Sequence, residues 1–157
     1  LEFGISAQYQ RDYTGTADDI DIDATLLEAH ADWKHASGFG LRALYARWDL
    51  GKDGAFDPGA VHADDLAGWY VEPAWRFRLP GEILGEFGVF ARYSHWDERN
   101  RLPAPDFRYG EFEQYMLGFN WWPPPNVALK FDAQWEDADG RVDQTLDGIN
   151  VGIGYQF

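Results

Sequence analysis

Four basic side chains, Arg42, Arg76, Arg92 and Lys130, and four acidic ones, Glu28, Asp32, Glu72 and Asp132, all hold even positions in stretches whose odd positions are apolar. Opposite charges on one face of a sheet can serve two ends. Packed closely, they pair as a buried network, because an unpaired buried charge is very costly. Spaced around water, they line a passage and set its ion preference. Charge alone leaves both readings open.

The other candidates for chemistry are weaker. Ser94, His95 and Asp97 lie close together and suggest a hydrolase. Ser94 and His95 are adjacent, however, and on a strand they face opposite sides. A nucleophile and its base need hydrogen-bond reach. No catalytic residue is therefore expected, and the chain is not read as an enzyme. His30, His35, His62 and His95 fit no ligand spacing, so neither a metal site nor a cofactor is expected. Cysteine is absent, which removes disulfides and thiolate metal sites. The acidic pI of 4.4 argues against nucleic acid, whose phosphates it would repel.

The elements that must position these residues have a period of two almost throughout. Phe3, Ile5, Ala7 and Tyr9 oppose Gly4, Ser6, Gln8 and Gln10, and Leu27, Ala29, Ala31 and Trp33 oppose Glu28, His30 and Asp32. Phe39 to Ala46, Trp69 to Arg76, Phe87 to Ser94, Gln114 to Trp121, Val127 to Glu136 and Gly148 to Phe157 repeat the pattern. These are eight strands of roughly the nine to eleven residues a tilted membrane strand requires. No stretch approaches the ~20 apolar residues of a spanning helix. Short turns are expected around Lys34–Gly38, Arg78–Gly85 and Trp122–Asn126. Long polar loops fall around Tyr13–Ile22, Leu50–Leu66, Glu98–Gly110 and Ala138–Leu146. That asymmetry is the pattern of an outer-membrane barrel with extracellular long loops and periplasmic termini. Leu1 is not followed by a basic segment and an apolar core, so the chain reads as a mature protein or a fragment.

The lipid face follows from where charge is missing. Mid-strand odd positions carry no Asp, Glu, Lys or Arg, and Arg11, Arg47 and Glu113 lie at the long-loop ends, where side chains can snorkel to water. Aromatic residues make up 17% of the chain, and the outward ones gather near strand ends as two girdles. A soluble sandwich or lipocalin-like barrel would alternate too, but so many rings would overfill its interior. Pro73, mid-strand, is expected at a bulge or distortion. Most of the 27 acidic residues cluster at the long loops, from Asp12, Asp18, Asp19, Asp21 and Asp23 to Glu136, Asp137, Asp139, Asp143 and Asp147. Solvation of the loops accounts for them. So does a negative mouth that attracts cations, or binds divalent ions bridging lipopolysaccharide phosphates. The Asp18–Asp23 run lacks the glycine and glutamate of an EF-hand.

The segments "LRALYARWDL" (41–50), "YVEPAWRF" (70–77), "FGVFARYSHWD" (87–97), "YMLGFNWWPPPNVALKFDAQWED" (115–137) and "INVGIGYQF" (149–157) resemble the C-terminal half of phosphate-selective porin O/P-type porins. Ile153, Tyr155 and Phe157 look like the signal read by the outer-membrane assembly machinery. The resemblance implies a 16-stranded trimeric barrel passing small anions, with Arg42, Arg76, Arg92 and Lys130 as inward basic residues. Only three lysines (34, 52 and 130) are present, so a lysine ladder for phosphate is not visible. The expected fold is an all-β, antiparallel up-and-down transmembrane β-barrel, eight strands of which lie in this chain. Residues 1–157 then form one barrel domain or a C-terminal barrel half. The expected function is passive diffusion of small hydrophilic solutes or ions across a bacterial outer membrane, in contact with lipid and lipopolysaccharide. Glu28, Asp32, Glu72 and Asp132 would line the pore with the basic residues. The other reading is a closed eight-stranded structural or adhesion barrel presenting acidic loops, its lumen plugged by salt bridges.

Overall fold

The computed structural model describes residues 1–11, 23–50, 65–81, 85–99, 111–123, 126–139 and 147–155. Eight strands follow one another: β1 Glu2–Gln10, β2 Ala24–Lys34, β3 Phe39–Leu50, β4 Asp65–Phe77, β5 Glu86–Arg99, β6 Glu111–Trp122, β7 Val127–Asp139 and β8 Gly148–Tyr155. They form one antiparallel sheet in chain order, each strand paired with the next. All eight expected strands are present. Several run slightly further toward the long loops than their alternation suggested, as where Asp65 of β4 still pairs with Asp49 and Arg99.

Every pairing joins even to even and odd to odd, from Gly4↔His30 on β1 and β2 to Asp132↔Asn150 on β7 and β8. A slip of one residue would have swapped the faces. None occurs, so the two faces seen in the sequence continue across the whole sheet.

The odd face is apolar and exposed. Among the described residues every exposed large apolar side chain is odd-numbered, including Ile5, Leu27, Leu41, Val89, Leu117, Phe131 and Val151. Among the described residues only Ala24 and Phe87 are buried large or aliphatic apolar residues, whereas Glu72 and Asp132 are buried polar ones. Soluble domains rarely expose apolar patches beyond a few hundred Å². A sheet with this arrangement is stable against hydrocarbon, not water. Ring contacts mark two belts on the odd face. Trp33 meets Phe39 at 5.8 Å and Phe77 meets Phe87 at 6.0 Å toward the short turns. Trp69, Tyr93 and Tyr115 touch in series at 5.3 and 5.1 Å toward the long loops.

The even face is concave. Its side chains reach across an intervening strand: Arg76 of β4 lies over the Trp122 ring of β6 at 4.4 Å, and Lys130 of β7 over the Phe90 ring of β5 at 5.4 Å. The sheet is nevertheless open. Among the described residues β1 pairs only with β2 and β8 only with β7, and the two end strands do not meet. This corrects the closed eight-stranded reading and agrees with a fragment of a wider barrel. Eight strands would have to curl tightly to close, and these do not.

At Pro73 the structure has the expected distortion, not a bulge. The β4–β5 ladder runs from Asp65↔Arg99 to Val71↔Tyr93 and resumes at Ala74↔Phe90. The register is the same on both sides of that gap, so no residue is inserted and there is no bulge. Proline only removes a donor, and on the other side Pro73 stays opposite Leu41.

At the β2–β3 turn, His35 N–H donates to the Phe39 carbonyl at 2.8 Å, and Gly38 holds φ +89°. The Gly38 carbonyl accepts from Arg76 N–H at 2.8 Å. A Cβ on Gly38 would collide with the Arg76 carbonyl oxygen. Gly38→Ala is expected to cost about 1–3 kcal/mol through backbone strain, read as a lower urea midpoint for the protein folded in lipid. An unchanged midpoint would count against this turn.

Candidate functional site

Alternation with unbroken register puts the eight charged candidates on one surface. Cross-strand pairing sets Asp32 opposite Arg42 and Arg42 opposite Glu72. The Arg42 guanidinium donates to Asp32 Oδ2 and to Glu72 Oε1, each at 3.3 Å. Arg92 Nε donates to the other Glu72 oxygen at 2.8 Å. Lys34 Nζ joins Asp32 at 3.1 Å. A chain of alternating charge thus crosses four strands, from Lys34 to Arg92.

A second group sits on β7 and β8. Lys130 Nζ lies 3.0 Å from Asp132, and Asn150 Nδ2 donates to Asp132 at 2.8 Å. The remaining two candidates pair outside the set of eight. Arg76 bonds Glu86, which Arg78 also holds at 2.9 Å. Glu28 lies 2.6 Å from His30 Nδ1 and accepts from Ser6 at 3.0 Å. Glu86 was not among the sequence candidates. Its signal was available: an even-numbered acid directly after a short turn that begins with an arginine.

Equal counts of charge conceal an unequal presentation. The side chains of Arg76, Lys130, Arg42 and Arg92 are 56%, 51%, 46% and 30% exposed, against 11% for Glu72 and 2% for Asp132. Short carboxylates stay at the wall, and the long cationic stems carry their heads past them. A cavity of about 480 Å³ opens on this face, and Lys34, Arg42, Arg76, Arg92 and Lys130 line it against only two acids, Asp32 and Glu72. Along this cavity, basic side chains outnumber acidic ones five to two.

Aromatic rings are the other partners that sequence reasoning missed. Arg76 lies over Trp122, Lys130 over Phe90, and Arg92 over Tyr70 at 4.5 Å. All three rings are at even positions. An apolar ring on the polar face was the available signal, but its partner depends on register and curvature.

The remaining expectations distribute as follows. Ser94 pairs across to Gln114 and His95 to Glu113, so they lie on opposite faces as their adjacency required. Among the described residues no three His, Asp or Glu side chains gather in a manner suited to a metal. Two of the three outward charges at the long-loop end are partnered: Arg47 donates to Asp65 at 2.7 and 2.9 Å, and Glu113 accepts from Tyr93 at 2.9 Å and Tyr115 at 3.0 Å. Ile153 and Tyr155 are exposed on the odd face of β8. Phe157, His62 and the loop acids Asp12, Asp18, Asp19, Asp21 and Asp143 lie outside the described residues. A model of the family described as phosphate-selective porin O and P matches residues 3–157. No match was found among curated proteins or among solved structures.

Proposed function

The chain belongs to the phosphate-selective porin O and P family, and from that premise we propose that its even face lines a water-filled, anion-preferring diffusion channel across the bacterial outer membrane. The observation that carries the preference is the unequal exposure of charge. Arg42, Arg76 and Lys130 are about half exposed, while Glu72 and Asp132 lie beneath them. Rings of positive groups at a constriction favour anions. Arg42, Arg76, Arg92 and Lys130 would supply the attraction. Glu28, Asp32, Glu72 and Asp132 would hold the wall together and keep the passage from binding anions too tightly to release them. No energy coupling and no catalysis enter this reading.

The open edges of β1 and β8 carry unpaired backbone groups, which hydrocarbon does not tolerate. Further strands would close the barrel, in keeping with the wide porin that the resemblance implies, and a homotrimer would be its assembled form. The odd face would meet outer-membrane lipid and lipopolysaccharide. Ile153, Tyr155 and Phe157 would present the signal to the assembly machinery.

Reversal potentials of the full-length gene product in planar bilayers, under a potassium chloride gradient, test the preference. The expected sign is that of a channel passing chloride more readily than potassium. A protein that inserts and never conducts, or that prefers potassium, would overturn the reading.

A further inference from the structure

Three of the lumen-facing cations share one form of support. Each has a carboxylate on one side and a ring on another: Arg76 has Glu86 and Trp122, Arg92 has Glu72 and Tyr70, and Lys130 has Asp132 and Phe90. The two partners do different electrostatic work. A carboxylate holds a cation and cancels its charge. The face of a ring holds it through a quadrupole and cancels nothing. A channel that depends on exposed positive charge gains from the second kind of anchor.

Two of these rings sit where the wall has been cleared for them. Trp122 of β6 extends over Gly88 of β5, where a Cβ would stand 3.0 Å from two of its ring carbons. Phe90 of β5 faces Gly118 of β6 directly, and a Cβ there would clash with three atoms of its ring. The same layering thus occurs twice, on neighbouring strands: a glycine in the wall, a ring over it, and a half-exposed cation over the ring. Glycine inside a strand weakens it and marks a close approach, and here the thing that approaches is the support of a charge.

We propose that Trp122 and Phe90 are positioning residues, which the gaps at Gly88 and Gly118 allow to carry Arg76 and Lys130 over the lumen and so set the strength of the anion preference. This rests on the channel reading above. Without the ring, the cation keeps its formal charge but is left to its carboxylate, and its head spreads over many positions along the wall. The lumen's net charge does not change, while the field a passing anion meets does.

Trp122→Leu and Phe90→Leu, singly and together, test this in the full-length protein, beside the ring-keeping Trp122→Phe and Phe90→Tyr. The reversal potential in a potassium chloride gradient is the readout. Each Leu variant is expected to lower the chloride-to-potassium permeability ratio about two- to fivefold, the weight of one exposed cation–ring contact, the pair to lower it further, and the ring-keeping variants to keep it near wild type. An unchanged ratio in Leu variants that insert and conduct overturns the proposal, as does a loss that the ring-keeping variants share. Should the Leu variants fail to insert, Gly118→Ala displaces the Phe90 ring with both cation and ring still present; a lowered ratio is then expected, and an unchanged one overturns the proposal. A wild-type channel without anion preference overturns the channel reading itself, whatever the variants do.

Discussion

Leu117→Arg is expected to weaken folding into a bilayer severely, whereas Met116→Arg, one residue away, is expected to leave it nearly intact. Leu117 is 56% exposed on the odd face of β6 and lies between the two aromatic belts, paired with Ala91 and Ala133. Arginine on a lipid-facing strand near the midplane costs about 2–4 kcal/mol, equivalent to some thirty- to several-hundredfold in the folding equilibrium. The total stability of a domain is only about 5–15 kcal/mol, so one such change consumes much of it. Met116 points to the concave side, opposite Arg92 and Gln134. A second arginine there meets repulsion of at most about 1 kcal/mol, and lumen water screens it. Urea titration of folding into liposomes would measure both. Equal costs at the two positions would mean that the odd face does not meet lipid, and the assignment of faces would fail with it.

The parity of that experiment was legible in the sequence because a strand has one strict period. Once Leu117, Phe119 and Trp121 alternate with Met116, Gly118 and Asn120, both faces are known, and no tertiary contact is needed. The same rule separated Ser94 from His95. Other features depend on relations between strands, which alternation does not carry. That Arg76 turns to Glu86 and Trp122, not to one of the four acids named with it on that face, follows from the β4–β5–β6 register and the curvature of the sheet. That the sheet stays open depends on how far it curls, which the same alternation would allow at eight strands or at sixteen. Whether Pro73 brings a bulge or only a local distortion depends on whether the partner strand shifts to compensate, and β5 does not. The unequal exposure of charge lay between these cases. Side-chain length alone hints that arginine outreaches glutamate, but the depth of Glu72 comes from having a guanidinium on either side of it.

That depth makes the two halves of one ion-pair chain unequal to remove. Replacing both Arg42 and Arg92 by Met is expected to cost more stability than Glu72→Gln, although the first removes two cations and the second only one anion. Glu72 is buried beneath its two partners, and stripping them away leaves a desolvated charge with nothing opposite. Breaking a buried pair this way costs about 3–5 kcal/mol, and access of lumen water would bring the figure toward the lower end. Glu72→Gln leaves the cations, not the acid, uncompensated. Arg42 keeps Asp32 at 3.3 Å and Arg92 keeps the Tyr70 ring at 4.5 Å, and both heads already reach solvent. Its cost is expected at about 1.5–3 kcal/mol, that of a hydrogen bond to a charged group lost. Selectivity should move the opposite way from what stability suggests. The cheap change, Glu72→Gln, leaves the lumen one unit more positive and should raise the chloride preference, while the costly one removes two positive charges and should lower it. Urea midpoints and reversal potentials on the same preparations separate these effects. Equal destabilisation by the two changes would show that Glu72 is solvated like its partners, and the layered arrangement of acids beneath bases would have to be given up.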